Sequence, residues 1–331
     1  MSEMKPNPEK IAELIREAQT IAVVSHVNPD GDTIGSATAM RLILTAMGKE
    51  VTLFCDGKVP DMLSFLPGQE LFRDPAGCTG TFDLMLAVDV SDDKRLGTCV
   101  SLLPKCRRTA QIDHHPTNPM YMEVNSVDGK APATCMLIHE QMKTLGVPLT
   151  RDIAICLYTG ISTDTGNFAF GSTNAEAFRI MGELMEQDLP LEKLNRHLFR
   201  VKSREQTKLL GRALESLTFH GEGKIAVMKL TWADFQECGA LSEHADTIVN
   251  YGLDTKGTRM AMLARETEEG EIKFSLRTRE PYTVNDIAAQ FGGGGHPQAS
   301  GITMKGTLEE AADRVLRAME EKVKQNQEIT G

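Results

Sequence analysis

The sequence lacks the segments that mark membrane and secreted proteins. No uncharged run reaches the ~18 residues of a membrane-spanning helix, and the N-terminal segment MSEMKPNPEKIAELI has no apolar core of signal-peptide length. Seven cysteines are present, an odd number without any C-x-x-C pair. We therefore expect a cytoplasmic protein with no membrane partner, whose cysteines are buried reduced thiols rather than disulfides or zinc ligands.

Basic residues are outnumbered by acidic ones. The chain has 36 Lys and Arg against 46 Asp and Glu, which gives a formal net charge of -10. Binding to long nucleic acid needs many Lys and Arg side chains that displace counterions from the phosphates. We therefore exclude long duplex nucleic acid as a partner and expect any anionic substrate to be held by a local cluster of residues.

The length of 331 residues predicts two domains of unequal size. From residue 20 to about 190, short β-branched segments alternate with helical patterns, which is typical of an α/β domain with a parallel sheet and helices on both faces. We place this domain at residues 1–190. Residues 191–215 are charged and helical and form the predicted connector, and residues 216–331 form a smaller α+β domain.

Predicted strands are bounded by helical patterns in both domains. In the first domain the predicted strands are TIAVVSHV, VTLFCDG, FDLMLAVDVSD and TAQIDHH, and in the second KIAVMKLTW, RMAMLARET, EIKFSLRTRE and GITMKG. In sheets of parallel strands, ligand-binding and catalytic residues lie at the carboxyl ends of the strands.

Ionisable residues crowd these strand ends and the helix ends beside them. They are His26, Asp30 and Asp32 in HVNPDGDTIGS, Asp89 in LAVDVSD, Asp113, His114 and His115 in QIDHH, and Asp164 in STDTGNF. A carboxylate at the end of an apolar segment is costly unless it is paired, caps a helix or binds a cation. Divalent metal would explain all of these positions together.

Ordinary structural roles also fit some of these residues singly. Asp32 could N-cap the helix that follows it, and NPDG could be a simple turn. Asp89 could cap a strand end, and Asp164 could be a turn residue. His114 and His115, directly after an acidic residue, instead favour a metal ligand and a catalytic group.

Other kinds of metal site fit less well. The pattern begun by Asn28, Asp30 and Asp32 lacks the glycine and glutamate of an EF-hand, because Thr33 and Ala39 stand at loop positions six and twelve. A structural zinc site would favour cysteine ligands. Two histidines with several aspartates suit manganese or magnesium, and the imidazoles favour manganese.

The motifs HVNPDGD, VDVSD, DHH and TDTGNF, in this order, resemble the four motifs of the DHH phosphoesterases. The stretch FSLRTREPYTVNDIAAQFGGGGHPQASG is similar to the DHHA1 module attached to one branch of that family. The nearest resemblance is to the nanoRNase/pAp phosphatase group, in which these two modules form the whole protein. The resemblance therefore implies a catalytic DHH domain followed by a substrate-binding DHHA1 domain.

The resemblance implies two divalent metal ions, manganese or alternatively magnesium, bridged by Asp89. One ion would be held by His26, Asp30 and Asp89, and the other by Asp32, Asp89, His114 and Asp164. His115 would be a catalytic group facing the substrate phosphate, and Asp113 would assist catalysis by orienting His114 through a hydrogen bond.

The sequence predicts a loop at a second cluster, Gly292 to Gly295 followed by His296. Glycines let backbone N–H groups approach an anion closely, although a flexible hinge fits the composition equally well. In the resemblance, Gly293, Gly294, Gly295 and His296 hold the far end of a short nucleotide. Arg277 would lie opposite them as a bidentate phosphate donor.

The resemblance implies hydrolysis of oligoribonucleotides of about two to five nucleotides to 5′ mononucleotides, and of adenosine 3′,5′-bisphosphate to AMP. The alternatives are a soluble phosphodiesterase of cyclic or linear dinucleotides, a single-strand-specific exonuclease, an inorganic pyrophosphatase that shares only the first domain, and a regulatory protein with an inert metal site. The sequence leaves the oligomeric state open, with a homodimer as one alternative.

Overall fold

The chain divides into two structural units between Val201 and Lys202 in a computed structural model that describes residues 6–330, with side chains up to Gln325. This division falls inside the predicted connector, residues 191–215. The helical turns before Val201 belong to the first unit, and the helix that begins at Arg204 belongs to the second.

Six parallel strands form the sheet of the first unit. They are β1 (Thr20–Val24), β2 (Glu50–Phe54), β3 (Phe72–Arg73), β4 (Phe82–Val88), β5 (Cys106–Asp113) and β6 (Val124–Val127). Their order is β3-β2-β1-β4-β5-β6, and every neighbouring pair is parallel. The predicted parallel α/β sheet is confirmed. The sequence pattern does not predict the edge strands β3 and β6, because segments so short show no clear period.

Alternate residues of the central strands enter two different hydrophobic cores. On β4, Leu84 and Leu86 lie in one core, and Met85 and Ala87 lie in the other. None of these four side chains is more than 1% exposed. Both faces of the sheet are therefore covered, which explains why its strands read as nearly continuous apolar runs.

The first core is covered by α-helices and the second by a 3₁₀ segment. The helices are α1 (Pro8–Glu17), α2 (Gly31–Ala46), α3 (Thr134–Thr144), α4 (Arg151–Asp164), α5 (Ala175–Met185) and α6 (Leu191–Asn195), which continues as a π-helical turn (Arg196–Arg200). The 3₁₀ segment is Asp93–Lys105, which contributes Leu96, Cys99 and Leu102 to the second core.

Helices α2 and α4 approach closely because glycines lie at their contact. A Cβ atom on Gly35 would stand 2.6 Å from the carbonyl oxygen of Cys156, and one on Gly160 would stand 2.5 Å from Oδ1 of Asp32. Real Cβ atoms are not found at such distances, so the contact requires glycine at both positions. The contact brings the end of α4, with Asp164, beside the start of α2.

A mixed six-stranded sheet organises the second unit. Its strands are β7 (Thr218–His220), β8 (Ile225–Leu230), β9 (Met260–Glu266), β10 (Glu271–Thr278), β11 (Gly294–His296) and β12 (Ala299–Lys305). Their order is β11-β12-β10-β9-β8-β7, in which β8 and β9 are parallel and the other pairs antiparallel. The helices are α7 (Arg204–Glu215), α8 (Trp232–Cys238), α9 (Val249–Leu253), α10 (Asn285–Gln290) and α11 (Leu308–Thr330).

The predicted α+β character of the second unit is confirmed, although the sequence pattern does not predict β7, α8 and α9. Gly294–His296, expected to be part of a loop, form the edge strand β11. Among residues 6–330, no helix is long and apolar enough to cross a membrane. All seven cysteines are free thiols, and five of them are buried.

The α2–α4 contact predicts opposite effects for two glycine substitutions. Gly35→Ala should lower the free energy of unfolding by roughly 1–3 kcal/mol, because the added methyl group overpacks the contact. Gly182→Ala is the matched control in α5, where an added Cβ meets nothing within 4 Å. It should raise that free energy by up to about 1 kcal/mol by restricting the unfolded chain. Urea denaturation measures both, and equal effects of the two substitutions would contradict the close contact.

Candidate metal centre

The six residues predicted to bind metal lie together where the strands of the first sheet end. They come from the segments after β1, β4 and β5, from the start of α2 and from the end of α4, and are His26, Asp89, His114, Asp30, Asp32 and Asp164. Their ligand atoms form two groups, in each of which all atoms lie within 4.8 Å of one another: His26, Asp30 and Asp89, and Asp32, His114 and Asp164.

His26 presents an imidazole lone pair to two carboxylates. It donates Nδ1–H to the carbonyl oxygen of Val27 at 2.7 Å, which leaves Nε2 to act as an acceptor in the neutral ring. Nε2 is buried, has no hydrogen-bond partner and lies 3.5 Å from Oδ2 of Asp30 and 3.5 Å from Oδ2 of Asp89. A lone pair facing two anionic oxygens is stable only with a positive charge between them.

His114 has the same arrangement in the second group. It donates Nδ1–H to the carbonyl oxygen of Ala131 at 3.0 Å. Its Nε2 lies 3.4 Å from Oδ2 of Asp164, 3.5 Å from Oδ1 of Asp89 and 3.9 Å from Oδ2 of Asp32. Ligands bound at about 2.0–2.2 Å to one cation are separated by similar distances.

Asp89 lies between the two groups and offers one oxygen to each. Its Oδ2 faces His26, whereas its Oδ1 faces His114 and accepts a hydrogen bond from Oγ1 of Thr134 at 2.9 Å. The backbone of Asp89 is left-handed, with φ of 61°, and its N–H donates to the carbonyl oxygen of Ile112 at 2.9 Å. This strained conformation turns the side chain from the end of β4 into the centre.

Asp30 and Asp32 have different roles at the start of α2. Oδ1 of Asp30 accepts hydrogen bonds from the backbone N–H groups of Asp32 at 3.0 Å and Thr33 at 3.1 Å. Asp30 is therefore the N-cap, and the alternative that Asp32 caps this helix is wrong. Asp32 instead accepts from the backbone N–H groups of Thr134 at 2.5 Å and Cys135 at 2.9 Å, where the start of α3 favours negative charge.

Burial, together with mutual repulsion, makes the negative charges of the centre costly. Burial raises the pKa of Asp32, and the charge of Asp89 raises it further. Burial and the charges of Asp32 and Asp89 likewise raise the pKa of Asp164. Burial alone would lower the pKa of His26, but its interactions with the carboxylates of Asp30 and Asp89 raise it to about 9. The cluster therefore attracts positive charge, and imidazole nitrogens with carboxylate oxygens fit a divalent cation such as Mn²⁺ or Mg²⁺.

His115 contacts Asp113 and Arg95 and also borders the centre, because its Nδ1 lies 3.6 Å from Oδ1 of Asp89. Oδ1 of Asp113 lies 2.8 Å from Nδ1 of His115, and Nη1 of Arg95 lies 3.3 Å from Nε2 of His115. The prediction that Asp113 orients His114 is therefore wrong. Residues two apart along an extended chain point to the same side, whereas adjacent residues point to opposite sides, so Asp113 meets His115.

Three residues of this centre are not found by the sequence patterns. Arg95 comes from the 3₁₀ segment, Asn118 donates Nδ2–H to Oδ2 of Asp113 at 2.7 Å, and Thr134 bonds both Asp32 and Asp89. The one available signal for Arg95 is a basic residue soon after the acidic stretch VDVSDD.

The second unit places Arg277 and His296 in one row of its sheet. Arg277 on β10 pairs with Ala299 on β12, and Ala299 pairs with His296 on β11. Paired residues point to the same face, so these two side chains share a face with their Cα atoms about 9.5 Å apart. The residue between them in the row, Ala299, has only a methyl side chain.

Strand packing explains two glycines of the GGGGH cluster. A Cβ atom on Gly293 would stand 2.2 Å from the carbonyl oxygen of Gly301, and one on Gly295 would stand 2.5 Å from that of Ala299. An added Cβ at Gly294 would meet nothing within 4 Å. Gly293 and Gly295 are thus required by the approach of β12, whatever they bind.

Two family models match the chain, each within one structural unit. The model described as "DHH family, N-terminal domain" matches residues 20–161, and the DHHA1 domain model matches residues 222–325. Together the matches include five of the six residues of the metal centre, all but Asp164, and the row of Arg277 and His296 in the second unit.

Curated proteins and a solved structure match over nearly the whole length. Proteins named "Bifunctional oligoribonuclease and PAP phosphatase NrnA" are 34% identical in Thermus thermophilus, covering 95% of this chain and 93% of that protein, and 29% identical in Bacillus subtilis, covering 95% and 99%. The crystal structure of an exopolyphosphatase-related protein from Bacteroides fragilis is 27% identical, covers 96% of each chain and has a TM-score of 0.89. The chain therefore belongs to the DHH family with an attached DHHA1 domain, and it is a hydrolase of phosphoester bonds.

Proposed function

We propose that this chain is a manganese-dependent phosphoesterase that cleaves short oligoribonucleotides to 5′ mononucleotides and converts adenosine 3′,5′-bisphosphate to AMP. We assign catalysis to residues 1–190 and substrate binding to residues 216–331, with residues 191–215 as the connector. The match with two proteins named for these activities, over 95% of this chain in each case, supports the substrate class.

The observation that carries the proposal is the position of Asp89. Its two carboxylate oxygens face two different groups, each with a histidine Nε2 and further aspartates. We assign His26, Asp30 and Asp89 to one divalent ion, and Asp32, Asp89, His114 and Asp164 to the other. When bound, two such cations make a water molecule nucleophilic near neutral pH and neutralise charge on the phosphoryl oxygens.

The protein's own groups set the geometry of that chemistry. The carbonyl oxygens of Val27 and Ala131 fix the tautomers of His26 and His114, so that each Nε2 is available to a cation. The N–H groups at the start of α3 hold the carboxylate of Asp32 in place. These contacts leave the ligands little freedom to rearrange when substrate binds.

We assign substrate contact to His115 and Arg95. His115 is 27% exposed at its side chain, and Asp113 stabilises its protonated form, which raises the pKa of His115 although burial opposes this. A protonated imidazole beside a guanidinium can bind a phosphate oxygen, and the imidazolium can give its proton to a leaving group. Asp113, itself held by Asn118, positions His115.

We assign a second phosphate or the base of the substrate to the second unit. Arg277 and His296 share one face of the sheet, and the intervening Ala299 has only a methyl side chain. The backbone at Gly293, Gly294 and Gly295 would approach the same ligand. A few local donors of this kind suit a short substrate, as does the net charge of -10.

A substrate comparison tests the proposed function. Protein loaded with Mn²⁺ is assayed on a 5′-phosphorylated diribonucleotide, a 24-nucleotide RNA, adenosine 3′,5′-bisphosphate, cyclic di-AMP and pyrophosphate. We expect the highest kcat/KM for the diribonucleotide and hydrolysis of the bisphosphate, with Mg²⁺ supporting less activity than Mn²⁺. Preference for the long RNA, for cyclic di-AMP or for pyrophosphate would refute the assignment to short oligoribonucleotides.

Substitution of Asp89 tests the bridging assignment. Asp89→Asn should reduce kcat by roughly 10²–10³-fold or more, because one of the two carboxylate oxygens that face the two groups becomes an amide nitrogen. Without metal, the same variant should unfold at a urea concentration at least as high as the wild type, because it removes repulsion among buried carboxylates. Asp152→Asn, at the exposed opposite end of α4, is the matched control. If the variant retained turnover, or bound Mn²⁺ in calorimetry as the wild type does, the assignment of Asp89 as the bridging ligand would be wrong.

Substitution of Arg95 tests substrate contact by the guanidinium. Arg95→Ala should lower kcat/KM for the diribonucleotide by about 10- to 100-fold, because a charged donor to the phosphate is lost. Arg95→Lys should recover part of this loss, since it keeps the charge but not the planar fork. Arg108, an exposed arginine of β5 paired with Glu123, provides the control Arg108→Ala. Equal kinetics for Arg95→Ala and the wild type would place the guanidinium outside the substrate site.

A further inference from the structure

An exposed phenylalanine, Phe170, lies beside the metal centre without joining the hydrophobic core. Phe170 is 57% exposed, although large apolar side chains of this kind are usually buried. Phe170 follows a turn of three successive residues with left-handed backbone, Gly166, Asn167 and Phe168, whose φ angles are 57°, 55° and 66°.

One packing contact and the chain connection to Asp164 place the Phe170 ring near the centre. A Cβ atom on Gly166 would stand 2.4 Å from Cε1 of Phe170, so the ring lies directly on this glycine. Gly166 is the second residue after Asp164, and their Cα atoms are therefore within about 7.6 Å of each other. The carboxylate of Asp164, 23% exposed, is 3.4 Å from Nε2 of His114. The ring therefore packs on the segment that directly follows Asp164, whose carboxylate lies on the partly open side of the centre.

The turn that carries Phe170 is firmly built. The backbone N–H of Asn167 donates to the carbonyl oxygen of Ser162 at 2.6 Å, and that of Phe170 donates to Thr165 at 2.9 Å. Left-handed φ is unusual for a residue as bulky as Phe168, and the ring of Phe168 is fixed against Phe178 with centroids 5.3 Å apart. Strain of this kind persists only where the surroundings impose it, and it is common at ligand sites.

We propose that Phe170 is the stacking surface for a base of the nucleotide substrate. This inference rests on the proposed function and deepens it, because contacts to phosphate alone cannot distinguish a nucleotide from another phosphoester. Aromatic rings stack on the π-face of any base, which suits an enzyme that accepts varied sequences. Stacking next to Asp164 would hold the nucleoside while the neighbouring phosphate lies in the metal centre.

The surroundings of Phe170 favour a single base over a second copy of the chain. The neighbouring residues Asn167, Gly171, Ser172 and Asn174 are exposed and are polar or lack a side chain. A stable protein interface needs about 800 Å² per partner with an apolar centre. The exposed apolar residues here are Phe170, Ala169 and Phe178, which is 58% exposed, and together they are far smaller than such an interface. The single ring of Phe170 matches the size of one base.

Kinetics on paired substrates test the stacking role. The variants are Phe170→Ala, Phe170→Leu, which keeps apolar volume without a π-face, and Phe170→Tyr, which keeps the ring. The substrates are a 5′-phosphorylated diribonucleotide and its counterpart in which both bases are replaced by hydrogen. We expect KM for the diribonucleotide to rise about tenfold with Ala or Leu and to stay near the wild-type value with Tyr, while kcat changes less than twofold. KM for the abasic substrate should not change.

Phe219→Ala is the matched control, because Phe219 is an exposed phenylalanine of β7, 47% exposed. Its kinetics should equal those of the wild type on both substrates. An equal rise in KM for the base-bearing and abasic substrates would overturn the proposal in favour of a purely structural role. So would an unchanged KM, or a change in oligomeric state of Phe170→Ala by light scattering, which would mean that a second copy covers the ring.

A binding measurement separates failure of this inference from failure of the proposed function. The chain has one tryptophan, so Phe170→Trp adds a second fluorophore whose quenching by the diribonucleotide reports stacking without turnover. If wild-type protein hydrolyses neither substrate, the proposed function fails, and the presence or absence of quenching still decides the stacking role. Quenching by the abasic compound to the same extent would count against stacking.

Discussion

The first unit is organised around a cluster of aspartate side chains that are buried from solvent. Asp32 and Asp89 are almost completely buried, at 0% and 1% exposure, and Asp164 stands beside them. Burying charges near each other costs several kcal/mol per group unless opposite charge compensates, which is comparable to the whole stability of an ordinary domain. The N–H groups at the start of α3, the imidazole of His26 and the guanidinium of Arg95 each reduce that cost, and a bound cation reduces it most.

The same constraint accounts for the helix packing. A carboxylate can accept N–H groups from the start of α3 only if α2 brings it close, and α2 can do so only if its neighbour α4 leaves room. Gly35 and Gly160 provide that room, and a side chain at Gly160 would occupy the place of the Asp32 carboxylate. The geometry of the centre is therefore part of the helix packing rather than an addition to a finished fold.

Much of this arrangement follows from the sequence, because parallel strands bring their carboxyl ends to one edge of a sheet. Residues far apart in the chain, such as His26 and His114, can be grouped on that ground alone. The partner of Asp113 does not follow from this argument, because it depends on the alternation of side chains along the extended segment after β5, which places Asp113 and His115 on the same side. Arg95 lies in a 3₁₀ segment without clear periodicity, and the edge strand Gly294–His296 is too short and too rich in glycine to give a strand pattern.

The left-handed backbone of Asp89 affects how mutational scans of this protein should be interpreted. At φ of 61° an alanine carries a steric cost of about 1–2 kcal/mol, whereas asparagine and glycine tolerate this region better. Replacement of Asp89 by alanine therefore combines a folding defect with loss of the carboxylate, and abundance and activity would fall together. In a library of all substitutions at this position, the glycine and asparagine variants should keep wild-type cellular abundance and lose activity. They therefore separate the folding defect from the loss of the carboxylate.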